Sequence, residues 1–372
     1  MDWILHTHPQ QVEGGETRSS ATLVTPETRH ELWFMWEGVP CANPVDPWFL
    51  MLVHPALKRR ARLVVEGELS SRLAAAWLAI ERFYQRLENM DNAVAIQAVA
   101  RVDTPHDRQP GVVIPFSGGV DSWHTLVTRR AEVAGLFFVQ GFDLDLSLED
   151  LGQRVQATLR DSARRVGLPL HVMQTNLRSF SNLHNDWLWY HYLPLAAAGY
   201  FLSGSYGTLL TPGAISHRRM PCGSHPDLAP LLSSDYFKVV HDEPLVKRLD
   251  KVQCLAREPE SLRTLRVCWE NPEGAYNCGR CRKCRITQLE LRLAGALARC
   301  STFPAPLDLN EVANMALTGN RAALEFWWEA LDAAEAAPGD REVRDALRSI
   351  LWRNCKTDYM LRRVRRLLGI GS

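Results

Sequence analysis

The sequence has no surplus of charge of either sign: 43 lysines and arginines stand against 42 aspartates and glutamates. Global electrostatics therefore argue for neither a polyanionic partner nor a membrane surface, and any such partner must be sought in a local patch. Internal repeats and low-complexity tracts are missing. The opening residues, MDWILHTHPQQVEGGE, lack the apolar run of a signal peptide or a membrane span, so a cytoplasmic protein with no membrane partner is expected. Nine cysteines in 372 residues do not make a disulfide scaffold. Four of them fall within seventeen residues, a crowding that in a reducing compartment points to metal.

What is present is an ordinary globular balance, 46% hydrophobic and 23% charged, in a chain long enough for two or three units. Three parts are expected. Residues 1–105 read as a mixed α+β accessory domain. ATLVT and HELWFMWEG form a hairpin pair, ARLVVEGEL a strand, and a Ser-capped helix carries Leu73, Trp77, Ile80, Phe83 and Leu87 at helical spacing before the strand AVAIQAVAR. The tryptophans of this part are core residues by the simplest reading. DTPHDRQPG has the proline, glycine and charge of a linker.

Residues 106–300 alternate near-continuous apolar strands (GVVIPF, AGLFFVQGFD, LPLHVMQTNL) with amphipathic helices (DSWHTLVTRRA, SLEDLGQRVQATLRDSARRVG), the pattern of a parallel sheet covered on both faces. Residues 301–372, after the TFPAPLD break, read as a helical region.

Two strings carry chemistry. In PFSGGVDSWH, Gly118 and Gly119 let the backbone turn sharply and bring its N–H groups to an anion, while Ser117 and Ser122 add hydroxyls and the following helix its positive end. Neither G-x-x-x-x-G-K-[ST] with its lysine nor G-x-G-x-x-G is present in it. In VCWENPEGAYNCGRCRKCR, Cys268, Cys278, Cys281 and Cys284 follow C-x9-C-x2-C-x2-C, with Gly279 allowing the thiolates to converge. Four thiolates suit a closed, structural zinc site; an iron–sulfur cluster and free thiols are the alternatives.

The string S-G-G-x-D-S after a strand resembles the pyrophosphate loop of N-type ATP pyrophosphatases. Joined to a C-terminal four-cysteine site, it resembles their 7-cyano-7-deazaguanine synthase branch, the QueC-like proteins, over roughly residues 110 to 300. The resemblance implies a HUP-type (adenine-nucleotide α-hydrolase-like) α/β fold with ATP, Mg2+ and Zn2+ as cofactors. Ser117, Gly118, Gly119, Val120, Asp121 and Ser122 would hold the nucleotide, and Asp121 the magnesium. It further implies adenylation of a small-molecule carboxylate and capture by ammonia or an amine. Asp143, in the GFD that matches part of the family's F-D-Y-G-Q segment, would contact adenosine or substrate; a capping aspartate is its other reading. Lys251, matching a T-K or S-K helix, would contact phosphate or substrate; a solvated surface lysine is the alternative.

The family's arginine–asparagine and Tyr-Pro-Asp-Cys-Arg segments are absent, which leaves the substrate and the acceptor open, a protein or a tRNA included. Cys222 is a candidate sulfur carrier, in which case the chain would be a tRNA-thiolating enzyme. A zinc-stabilised nucleotide-binding scaffold without catalysis is the third class. His217, Arg218, Arg219 and His225 share an irregular stretch with Cys222 that could meet substrate. Arg280, Arg282, Lys283 and Arg285 interleave the cysteines as a basic patch that would hold RNA or an anion, or offset thiolate charge. A homo-oligomer is compatible with all of these.

Overall fold

A computed structural model of the chain describes residues 1–101, 109–213, 223–317, 321–336 and 339–367. It divides into two compact units, Met1–Ser117 with Asp121–Leu245, and Gly118–Val120 with Val246–Ser372.

The first unit is built on one sheet. In chain order its strands are β1 (Asp2–Thr7), β2 (Gln11–Glu13), β3 (Glu16–Val24), β4 (Arg29–Glu37), β5 (Arg62–Ser70), β6 (Ile96–Arg101), β7 (Val112–Pro115), β8 (Val133–Gln140), β9 (Leu170–Thr175), β10 (Thr208–Thr211) and β11 (Lys238–His241). Across the sheet the order is β11-β10-β7-β8-β9-β4-β3-β1-β5-β6, with β2 on β3. The helices are α1 (Val45–Arg59), α2 (Ser71–Glu88), α3 (Val120–Thr128), α4 (Glu149–Val166), α5 (Leu177–Ser181), α6 (Trp187–Tyr190) and α7 (Tyr192–Phe201).

From β7 to β11 every pairing is parallel, as the near-continuous apolar strands predict. Counted from β7, the order across this half is 5-4-1-2-3. The chain starts in the middle, winds outward through β8 and β9, and then crosses to the other side of β7. The edge between β7 and β10 is thus the point where the winding direction reverses.

The expected three-part division differs from this one. The hairpin β3–β4 forms as the alternation predicts, from Glu16 opposite Glu37 to Val24 opposite Arg29. Rather than closing a domain of its own, it continues the parallel half: β4 pairs antiparallel with β9, Phe34 opposite Thr175 and Trp36 opposite Met173. The reason is apolar surface. Phe34, Trp36 and Trp48 pack on Phe201 of α7, so the core of the N-terminal part is completed by residues far along the chain. Trp3, Trp36 and Trp48 are buried, as core tryptophans should be, whereas Trp33 is half-buried under the Arg18 guanidinium. Ser70 stands at the N-cap of α2, but its hydroxyl donates to the buried Asp46 carboxylate instead, which also accepts from Ser70 N at 2.9 Å and Tyr236 Oη at 2.6 Å.

The second unit is helical: α8 (Arg248–Leu255), α9 (Pro259–Thr264), α10 (Arg282–Leu293), α11 (Leu309–Asn314), α12 (Arg321–Ala336), α13 (Arg341–Asn354) and α14 (Lys356–Leu367). Its helical character therefore starts well before the TFPAPLD break. Trp327, Leu331, Leu347, Ile350 and Leu351 form its core with Ile286 and Leu289. Among the described residues no helix is long and apolar enough to cross a membrane.

Candidate functional site

Residues 116–122 leave the C-terminal end of β7 and enter α3 within one tight turn, as the sequence predicts. Gly118 makes that turn with φ +72°, in the left-handed region where a Cβ is costly. Its carbonyl accepts from Arg266 N at 2.9 Å. Ser117 is exposed, Asp121 half-buried in the first turn of α3, and Val120 and Ser122 are buried. The helix is anchored from within. The Thr125 hydroxyl donates to Asp242 Oδ2 at 2.7 Å and Arg129 Nε to Oδ1 at 3.0 Å, while His124 Nδ1 lies 3.3 Å from Glu243. Asp242 and Glu243 directly follow the edge strand β11, so α3 is tied to the segment that leaves that strand. None of these five was singled out from the sequence; a carboxylate pair directly after an apolar strand was the available signal.

Asp143 follows β8, the neighbouring strand. Its carboxylate accepts from Trp187 Nε1 at 3.1 Å, and α4 begins after Leu148, so the capping reading of Asp143 is corrected. Trp187 also packs on Phe142 and lies 4.2 Å below the Arg178 guanidinium. Arg178 and Trp187 lie just beyond β9, at the carboxyl ends of the strands where ligands of such sheets sit. Gly141 makes the close approach that lets the β8 end meet β9: with φ +101°, a Cβ there would stand 2.0 Å from the Thr175 carbonyl oxygen.

The four cysteines converge. Their sulfurs all lie within 4.8 Å of one another, at 3.9 Å for Cys268–Cys281 and 3.8 Å for Cys278–Cys284. A tetrahedron with metal–sulfur bonds of about 2.3 Å has edges of about 3.8 Å, and a disulfide would need about 2 Å. The set can therefore hold a metal such as zinc. Backbone N–H groups already point at the sulfurs: Asn271 N to Cys268 at 3.3 Å, Cys281 N to Cys278 at 3.2 Å, Cys284 N to Cys281 at 3.4 Å. Gly279, at φ +69°, turns the knuckle, and Cys281 caps α10.

The scaffold residue that sequence reasoning missed is Asn277. Almost fully buried, it accepts from Val267 N at 2.8 Å and Cys268 N at 3.1 Å, and donates to the carbonyls of Leu265 at 2.8 Å and Thr302 at 3.3 Å.

The remaining expected residues divide. Lys251, on α8, is only 3% exposed, which overturns the solvated-lysine reading. Arg285 is not part of a surface patch: it is buried, donates to the Pro306 carbonyl at 2.8 Å and pairs with Glu311. Arg280 and Lys283 are exposed and Arg282 is half-buried. His225 is half-buried against Phe83, where burial lowers its pKa. Cys222, His217, Arg218 and Arg219 lie outside the described residues.

Compared with family models, with curated proteins and with solved structures, the chain gives no match.

Proposed function

We propose that the chain is a QueC-like ATP pyrophosphatase that activates a carboxylate. The observation that carries the reading is the S-G-G-x-D-S turn at the carboxyl end of β7, beside the β7–β10 edge where the winding reverses. Doubly wound parallel sheets bind nucleotides at that kind of edge. The 5-4-1-2-3 order supports the HUP-type fold by the same argument.

In this reading the Gly118–Gly119 backbone and the α3 N-terminus hold the pyrophosphate portion of ATP, and Ser117 and Ser122 donate to its oxygens. Asp121 supplies a carboxylate for magnesium, whose chemistry is charge neutralisation between the phosphates. A substrate carboxylate oxygen attacks the α-phosphorus, the bond to the β-phosphate oxygen breaks, and pyrophosphate leaves. Ammonia or an amine then attacks the acyl carbon, forming the C–N bond as AMP departs and a proton is lost. In-line positioning and charge neutralisation carry most of such a transfer, so no dedicated base is required. Asp143 and the Arg178–Trp187 pair stand where the adenosine or substrate would lie. Zinc at the four cysteines leaves no open coordination position, so its role is structural.

The test is nucleotide analysis after incubation with ATP, magnesium and candidate carboxylates. AMP and pyrophosphate are expected, and ADP as the main product overturns the assignment. Asp121→Ala and Ser117→Ala should each lower turnover by about tenfold or more, the loss of one charge-assisted hydrogen bond or ligand, with little change in melting temperature. Normal turnover in both variants refutes the phosphate role of the loop.

A further inference from the structure

The turn after β7 is held by residues that neighbour the cysteines. Gly118 to Val120 belong to the same compact unit as Val246–Ser372. The Gly118 carbonyl accepts from Arg266 N at 2.9 Å, and Arg266 stands two residues before the sulfur donor Cys268, so at most about 7 Å of chain separates the two. In a planar trans peptide the carbonyl and the following N–H point opposite ways. Fixing the Gly118 oxygen on Arg266 therefore aims Gly119 N–H toward the other side of the turn. Glycine restricts its own backbone less than any other residue, so the partner of the carbonyl sets that orientation.

The segment 265–268 is in turn fixed from the cysteine side. Of three successive N–H groups, that of Arg266 meets Gly118, while those of Val267 and Cys268 share Asn277 Oδ1. Asn271 adds a second clasp. Its N–H donates to Cys268 Sγ at 3.3 Å, its Oδ1 accepts from Arg266 Nη2 at 3.2 Å, and its Nδ2 donates to the Ala275 carbonyl at 2.8 Å. Arg266 and Asn271 are both buried, and Asn271 takes a left-handed φ of +41° that asparagine tolerates better than most residues. A metal-bound thiolate at Cys268 would strengthen the bond from Asn271 N–H as a charge-assisted one, and so hold the carboxamide against Arg266. Metal binding also supplies the energy that orders such a cysteine loop.

We propose that metal at the four cysteines sets the affinity of the turn after β7 for its nucleotide, by way of Cys268, Asn271, Arg266 and the Gly118 carbonyl. The inference rests on the nucleotide reading of that turn. The metal touches no substrate, and Asn271 and Arg266 are positioning residues. Such linkage is reciprocal: the factor that metal adds to nucleotide affinity, nucleotide adds to metal affinity.

Zinc-loaded full-length protein, equilibrated with a chromogenic chelator selective for zinc over magnesium, tests it in the presence and absence of magnesium and α,β-methylene-ATP, which is not split between its α- and β-phosphates. The analogue should raise zinc affinity about fivefold or more, and equilibrium dialysis should show the same factor in analogue affinity between zinc-loaded and zinc-free protein. Asn271→Gly suits the left-handed φ and keeps the N–H on Cys268. About one zinc per chain should therefore stay bound in that variant while the linkage factor falls to about one. Asn271→Asp keeps the acceptor for Arg266 and should keep the factor. A metal acting only through the stability of the whole unit would leave Asn271→Gly with the wild-type factor, which overturns the proposed route. Wild-type protein that binds the analogue equally well with and without zinc overturns the linkage and leaves the nucleotide reading standing. Zinc-loaded wild type that does not bind the analogue overturns both.

Discussion

Asn277→Ala is the sharpest test of how the cysteine knuckle is held. The side chain is 1% exposed, and its carboxamide is the shared partner of four backbone groups from two segments, 265–268 and Thr302. Truncation leaves the N–H groups of Val267 and Cys268 buried without acceptors, and each such orphan costs about 1–3 kcal/mol. The Leu265 and Thr302 carbonyls lose a donor as well; carbonyls tolerate this better, so they add less. The expected destabilisation is about 2–6 kcal/mol. Cys268 is itself one of the four sulfur donors, so the same change should loosen metal. Urea unfolding followed by fluorescence, with released zinc read by a chromogenic chelator, separates the two effects. The variant should unfold at lower urea, and zinc should appear together with unfolding rather than after it. Asn277→Asp keeps the acceptor for both N–H groups and loses the donations, so it should fall between wild type and alanine. An alanine variant within about 0.5 kcal/mol of wild type, or one that releases zinc at the wild-type urea concentration, would refute this account of the scaffold.

Chelation should act in the same direction as Asn277→Ala, and slowly, because a closed four-thiolate set exchanges its metal through partial opening; rapid loss of metal with unchanged stability would contradict a structural role. Gly141→Ala places a Cβ on the Thr175 carbonyl at a φ that L-residues avoid, and thermal melts should show a loss of about 3 kcal/mol or more, whereas a near-neutral effect would mean that β8 and β9 can part at that end. His184 gives a pH signature: burial first, and then the Arg59 and His30 charges, bring its pKa down to about 4. The unfolded state therefore binds the proton first as pH falls through about 6.5, and stability should decline from there to about pH 4. His184→Gln should flatten that part of the stability profile, and an unchanged profile assigns the slope to other groups.

Period-two alternation and apolar runs were enough to read β3, β4, β5 and β7 to β9, because each of those strands buries one or both faces against its neighbours. The long helix α1 escaped the same reading. Its segment, VDPWFLMLVHPALKR, is buried on nearly every side and holds Pro55 in its interior, so it shows neither an amphipathic stripe nor an uninterrupted run of helix formers. α7 was hidden for a similar reason, being apolar all round between α1 and the sheet. Strands β10 and β11, TLLT and KVVH, are as short as β7 but end in polar residues on both sides, so neither makes the apolar run that reveals β7.

The two chemical strings were legible for a different reason, and the difference explains which parts of the candidate site were missed. A glycine that must take φ +72° and four thiolates that must converge are dictated by their own local geometry, so identity and spacing reveal them. Asn277, Asp242 and Arg178 act through partners that only the fold brings close: Asn277 with Thr302, Asp242 with Thr125 and Arg129, Arg178 with Trp187. Nothing in the residues around them encodes those partners. Residues whose function is fixed by their own backbone can be read from a single sequence, whereas residues that work through distant neighbours require the fold. For this chain the second group includes Arg178 and Trp187, which meet beyond the end of β9.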